Sequence, residues 1–282
     1  MFDSVMSVDS MPDLTVMQYS LVDNLFSMTV AMMGAAALFF FMARSSVGEA
    51  YRPALMVSGI AVSIACYHYF MIRHSWQDAY TLGDGRYTQS GTAFNDFYRY
   101  ADWILTVPLL LVELVIVMRL AQSKAGPMLT KLVVASAAMI ALGYPGEVIS
   151  SPEGQTMRLI LGGLSCLPFF YILYVLWVEL TRSLDAQPVA ARNLIKIARY
   201  VILFAWIVYP IAYGLGSTTA ALEATSGGTT GAGEVVGLQV GYAIADMSSK
   251  AGFGLLIYFI ARAKTQQDAS DGTSPNASVI PA

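Results

Sequence analysis

A lysine stands inside a stretch of sequence that otherwise belongs in a lipid bilayer. Lys250 lies within Leu238–Phe259 (LQVGYAIADMSSKAGFGLLIYF), where a charged ammonium costs at least ~2.5–3.5 kcal/mol at membrane depth. Asp246 precedes it by four residues, which puts a carboxylate on the same face of a helix. A buried primary amine with a counter-carboxylate can hold a carbonyl compound as a protonated Schiff base. The same two residues could equally be a structural ion pair, and on their own they do not separate the two readings.

A second set of ionisable residues lies in 95–122 (NDFYRYADWILTVPLLLVELVIVMRLAQ). Arg99, Asp102, Thr106 and Glu113 stand at offsets 0, 3, 7 and 14, which draws one stripe along an α-helix. All four side chains can then face the interior of a helical bundle. Pro108 lies between them; membrane helices tolerate it, and it frees the carbonyl one turn earlier, that of Ile104. Two carboxylates and an arginine on one stripe, in a bundle that also holds Lys250 and Asp246, exceed what packing requires.

The elements that position these residues follow from composition. The chain has 282 residues, is 56% hydrophobic and only 12% charged, against roughly 25% charged in soluble domains; its mean hydropathy is +0.57. A spanning helix needs ~20 mostly apolar residues, and seven such stretches are predicted at 19–43, 53–76, 95–121, 128–150, 156–184, 192–216 and 235–263. The expected fold is all-α, a seven-transmembrane-helix bundle over 19–264. Residues 1–18 form an N-terminal tail, and 265–282 (TQQDASDGTSPNASVIPA) a polar tail expected to be disordered. Residues 1–18 contain Asp3, Asp9 and Asp13 and no Lys or Arg, unlike a secretory signal. Cys66 and Cys166 fall within spans, which argues against a disulfide framework.

Loop charges give an orientation. With the N-terminus outside, Arg44, Arg52, Arg119, Lys124, Lys131, Arg182, Arg192, Lys196, Arg199, Arg262 and Lys264 fall on the cytoplasmic side, while Arg73, Arg86 and Arg158 fall outside. Eleven against three is a positive-inside bias. It places the C-terminus in the cytoplasm, where the formal glycosylation match at 276–278 would go unused. The net charge of −3 gives no reason to expect nucleic-acid partners.

Depth converts the stripe into a vector. Asp102 and Glu113 are eleven residues apart, about 16 Å at ~1.5 Å per residue. The third span then carries Asp102 in its outer half and Glu113 in its cytoplasmic half. Asp246 lies one turn outward of Lys250. A proton leaving the lysine nitrogen outward and replaced from within would be exported from the cell.

RYADW (99–103), the TVPLLLVEL that follows, WIVYP (206–210) and DMSSK (246–250) together resemble a microbial rhodopsin. The resemblance covers all seven spans, and YRYADWILTVPLLLVELVIVM is most similar to the xanthorhodopsin and Gloeobacter rhodopsin branch. It implies a light-driven ion transporter of the inner membrane rather than an enzyme, with all-trans retinal bound to Lys250 as a Schiff base. The Asp102, Thr106, Glu113 triplet resembles outward proton pumps; sodium pumps carry Asn, Asp and Gln there, and chloride pumps lack the first Asp. The implied roles are primary counterion and proton acceptor for Asp102, second counterion for Asp246, and cytoplasmic proton donor for Glu113, held protonated by apolar surroundings. Arg99 would tune the acceptor and gate release, and Thr106 would hydrogen-bond near Asp102. Trp103, Trp206, Tyr209 and Pro210 would line the retinal, although aromatics on buried faces are otherwise plain core.

Other residues are weighed on the same basis. His68 (in CYHYFMIRHSW) has the depth of Asp102, which permits a hydrogen-bonded pair; an imidazolium there would keep the carboxylate an acceptor at lower pH. The alternative is a satisfied buried histidine, while His74 is expected at the solvated membrane edge. Leu110 matches the family's colour-tuning position, where leucine implies green absorption. Gly162 resembles a glycine that opens a slot for a carotenoid antenna in some members, although a small residue at a helix contact usually serves packing. Homo-oligomers are common in the family. Glu223 and Glu234 fall in a Gly/Thr-rich connection (ALEATSGGTTGAGE) that reads as a loop, so the proton-release group stays unassigned. The rivals are a sensory photoreceptor signalling to a separate transducer, a channel or inward pump, and a non-photochemical receptor or transporter. Glu113 argues against the first, and the acceptor and donor together against the second. Failure to form a pigment with all-trans retinal would favour the third.

Overall fold

A computed structural model describes the backbone of residues 11–119, 122–147, 149, 154–226 and 231–272, and their side chains except at 122–124, 147, 155, 215–226 and 234. The bundle is built from α1 (Val16–Ala43), α2 (Arg52–Ala79), α3 (Phe97–Met118), α4 (Gln122–Glu147), α5 (Gln155–Ser183), α6 (Val189–Ser226), α7 (Ala232–Asp246) and α8 (Phe253–Ser270). A π-helical segment, Met247–Gly252, joins α7 to α8 as one continuous span. Among the described residues, seven helical segments are long and apolar enough to cross a membrane, from Val16–Ser46 to Val235–Ser270. Each helix packs on its chain neighbour, and α7 closes the ring against α1. Short connections make sequential helices antiparallel neighbours.

Local chemistry sets several ends. Thr15 caps α1, its hydroxyl accepting from the Gln18 N–H at 3.2 Å while Gln18 Oε1 accepts from the Thr15 N–H at 2.9 Å. Pro53 lies in the first turn of α2, where its missing N–H costs nothing. Side chains such as Leu38, Met42, Phe70 and Phe204 stay exposed on the outside, where lipid replaces the packing partner. Polar residues are turned inward, the inverse of a soluble domain.

Four sequence expectations are corrected. The stretch read as an N-terminal tail to residue 18 includes structured residues: Leu14–Thr15 (β1) pairs antiparallel with Arg86–Gln89 (β3), which also pairs with Tyr80–Gly83 (β2), and α1 begins at Val16. That sheet went unforeseen, although Asp84 (φ 48) and Gly85 (φ 76) form the left-handed Asp-Gly turn that hairpins favour. The third span stops at Met118 rather than 121, where Arg119 turns left-handed with φ 49. The connection at 221–234 is largely helical: α6 continues to Ser226 and α7 begins at Ala232, because Ala, Leu and Glu in TTAALEATS favour helix. The last helix runs past the expected boundary at 264 to Ser270, with Thr265 and Asp268 tied to the body. The Thr265 hydroxyl accepts from the Gly48 N–H at 2.9 Å, and the Tyr51 hydroxyl donates to Asp268 at 2.8 Å. Residues 276–278 lie outside the described residues, as do the side chains of Lys124, Glu223 and Glu234.

Candidate functional site

The α3 stripe faces inward as its spacing requires: Arg99, Asp102, Thr106 and Glu113 are all buried. Lys250 comes to them from the π segment, itself 2% exposed. The Ser248 hydroxyl donates to the Ile244 carbonyl at 2.8 Å, competing with the backbone for that acceptor as mid-helix serines do. The wider turn keeps Asp246 and Lys250 on one side, and the Lys250 ammonium donates to Asp246 Oδ1. Lys250 Nζ also lies 3.0 Å from Asp102 Oδ2. One amine thus bridges carboxylates from α3 and α7.

The two carboxylates differ in their surroundings. Asp246 accepts from the Tyr69 hydroxyl at 2.7 Å, the Tyr209 hydroxyl at 2.5 Å and Trp103 Nε1 at 3.4 Å, besides the lysine. Asp102 Oδ2 accepts from Thr106 at 3.3 Å, but its Oδ1 has no hydrogen-bond partner among the described residues. His68 Nδ1 stands 3.7 Å from that oxygen and donates instead to the Ile64 carbonyl at 3.0 Å. The expected neighbours are brought together, but the hydrogen bond of the histidine goes to its own helix. His74 is exposed, 3.7 Å from Asp78.

One turn before Asp102 on α3, toward the β-sheet end of the bundle, Arg99 pairs with other partners. The guanidinium donates to Asp96 at 2.5 Å, to Gln239 and, at 3.4 Å, to the Tyr69 hydroxyl, and it stacks over the Tyr242 ring at 4.9 Å. Arg99 therefore reaches the lysine system through Tyr69 and Asp246. At the other end of the stripe, Glu113 is sealed from solvent and accepts from the Ser58 hydroxyl, while Oε1 stays without a partner among the described residues.

Tyr69, Gln239 and Ser58 were missed in the sequence, and each had a signal. A buried tyrosine hydroxyl needs a partner, and Tyr69 adjoins His68. Gln239 precedes Asp246 by seven residues, two turns along the same face. Ser58 lies ten residues from His68 and Glu113 eleven from Asp102, so the depth argument that pairs the second two elements' polar residues at one end also pairs them at the other.

A cavity of about 220 Å³ extends from Lys250. Trp103, Leu110, Trp206, Tyr209, Pro210 and Gly162 all line it. Gly162 has a packing reason: a Cβ there would clash with the ring of Tyr213, whose hydroxyl donates to the Arg158 carbonyl at 3.0 Å.

The fold and site together define a seven-helix membrane protein with a buried amine between two carboxylates at an apolar cavity. Residues 20–264 match the family described as bacteriorhodopsin-like protein. The chain is 32% identical over 238 residues to the green-light absorbing proteorhodopsin of Gamma-proteobacterium EBAC31A08, covering 84% of each chain. Among solved structures it is similar to xanthorhodopsin, described as a light-driven ion pump with dual chromophore (TM-score 0.83, 47% identity, 91% of this chain and 98% of that one). It is also similar to thermophilic rhodopsin (TM-score 0.84, 46% identity, 92% and 99%). The chain belongs to the bacteriorhodopsin-like family, and within it to the microbial rhodopsins of proton-pump type, multi-pass proteins of the cell membrane.

Proposed function

We propose that this chain is a light-driven outward proton pump, with its N-terminus outside, its C-terminus in the cytoplasm and all-trans retinal attached to Lys250. The observation that carries the proposal is the asymmetry around the lysine. Asp246 has its lone pairs filled by Tyr69, Tyr209 and Trp103, whereas Asp102 keeps Oδ1 open beside the same amine. The cavity fits retinal: its walls are apolar and aromatic and it ends at a primary amine. Retinal bound there supplies light absorption and a change of geometry at the lysine nitrogen.

The rest is done by side chains of this chain. Asp102, whose Oδ2 lies 3.0 Å from Lys250 Nζ and accepts from Thr106 while Oδ1 stays open, takes the proton released on the outer side. Asp246 stays as the fixed counter-charge. Glu113, about 16 Å from Asp102 along α3 and fastened by Ser58, returns a proton from the cytoplasmic side. Arg99 lies on the outward exit, bonded to Asp96 and Gln239. Illuminating unbuffered cells that express the chain with retinal tests the whole reading. Outside acidification that a protonophore abolishes is expected; alkalinisation, or acidification that the protonophore enhances, would overturn it.

Two finer assignments accompany it. Leu110 lines the cavity, supporting green absorption. A carotenoid beside Gly162 would have to displace or stack on Tyr213, which fills that side now. Excitation spectra with and without a hydroxylated carotenoid test this: energy transfer to retinal supports an antenna, and its absence removes it.

A further inference from the structure

We propose that a groove between α3, α4 and α5, at the end of the bundle opposite the β-sheet, binds an anionic phospholipid whose headgroup carries hydroxyls. The groove measures about 810 Å³ and lies where three spans end together: Phe97–Met118, Ala125–Gly146 and Thr156–Ala186. It therefore sits at the edge of the hydrocarbon region. Its floor is apolar, with Met128 and Val175, and its rim carries Arg119, Lys131 and Arg182. Basic pockets between spanning helices at a membrane edge are suited to anionic headgroups.

Charge within the groove is only partly met. Arg182 pairs with Glu179 at 3.0 Å, and Arg119 with Asp268 at 3.3 Å from outside the groove. Lys131 is exposed and has no ion pair among the described residues. Three cations against one groove carboxylate leave a positive surplus facing the headgroup layer.

Gln187 supplies the second, independent observation. Its side chain lines the groove and is 7% exposed, yet Oε1 has no hydrogen-bond partner among the described residues. A buried amide oxygen left unpaired is destabilising, and a donor from the ligand would relieve it. A phosphate alone has no use for the apolar floor. Phosphatidylglycerol offers all three contacts: phosphate for the cations, a hydroxyl for Gln187 and acyl chains for Met128 and Val175.

Native mass spectrometry of the retinal-loaded, detergent-purified protein tests this with phosphatidylglycerol and phosphatidylcholine of identical chains. Phosphatidylglycerol should be retained at several-fold higher occupancy. Lys131→Gln combined with Arg182→Gln should lower it to the phosphatidylcholine level, with the visible band unchanged as proof of folding. Lys131→Gln alone, at an exposed position, should lower it part of the way and keeps the test open if the double variant yields no pigment. Gln187→Leu should weaken phosphatidylglycerol retention but spare phosphatidylmethanol, an anionic phosphodiester whose headgroup carries no hydroxyl. Equal retention of both lipids, or retention unchanged by the charge variants, would overturn the proposal. Displacement of the lipid by millimolar inorganic phosphate would reassign the groove to a phosphate site and overturn it too.

Discussion

Asp102 and Asp246 carry the same functional group to the same amine, and their neighbours give them different work. Asp246 is held by two tyrosines and a tryptophan; Asp102 has an open oxygen beside His68. In the proposed cycle, Asp102→Asn should still form pigment but end transport, because the amide has no oxygen that can take the proton. Persisting light-driven acidification would transfer the acceptor role elsewhere. Glu113→Gln should leave the pigment intact and slow reprotonation of the lysine nitrogen by about 10²-fold or more, as expected when a positioned acid is lost. Flash-induced absorbance changes that decay at the wild-type rate would refute it. These residues were legible because charge is conspicuous in an apolar sequence. Tyr69, Ser58 and Gln239 were not, because uncharged polar residues in a membrane span acquire meaning only when a neighbouring helix fixes what they face.

At the scale of elements, the C-terminal end of α3 is held by another helix. Buried Lys264, on α8, donates to the carbonyls of Val117 at 2.9 Å and Met118 at 3.2 Å. These belong to the last turn of α3, one turn beyond Glu113, and a cation there also complements the helix dipole. Four residues on, Asp268 receives Arg119 at 3.3 Å, so α8 clamps the left-handed end of α3. Lys264→Met should leave two buried carbonyls unpaired and cost about 1–3 kcal/mol, read as faster thermal bleaching. Lys196→Met, at an exposed position on α6, should change stability by less than about 0.5 kcal/mol. Equal effects of the two would remove the clamp. Hydropathy reads the spans well but not their ends: α3 stops early because Arg119 turns, and α6 runs long because its extension is alanine-rich. The sheet escaped because β1 holds two residues and its pairing partner is some seventy positions away.

For the whole molecule, function depends on which end of the bundle faces the cytoplasm. A stripe of carboxylates defines a line, and only orientation makes that line a direction. The β2–β3 hairpin marks the end near Asp102 and Arg99, while the turn between α5 and α6 marks the end near Glu113. Asp84, at the hairpin tip, and Asp185, in that turn, are both exposed. A membrane-impermeant maleimide should therefore label Asp84→Cys in intact cells and reach Asp185→Cys only after permeabilisation. The unaltered chain, whose Cys66 and Cys166 are half-buried, serves as background. The loop charges require this pattern, since eleven of the fourteen cations outside the stripe and the lysine site lie toward the Asp185 end. Reversed labelling would place Glu113 on the outer side and Asp102 on the inner one. The same side chains, in the same geometry, would then move protons into the cell, so this measurement bears on direction independently of any light-driven pH change.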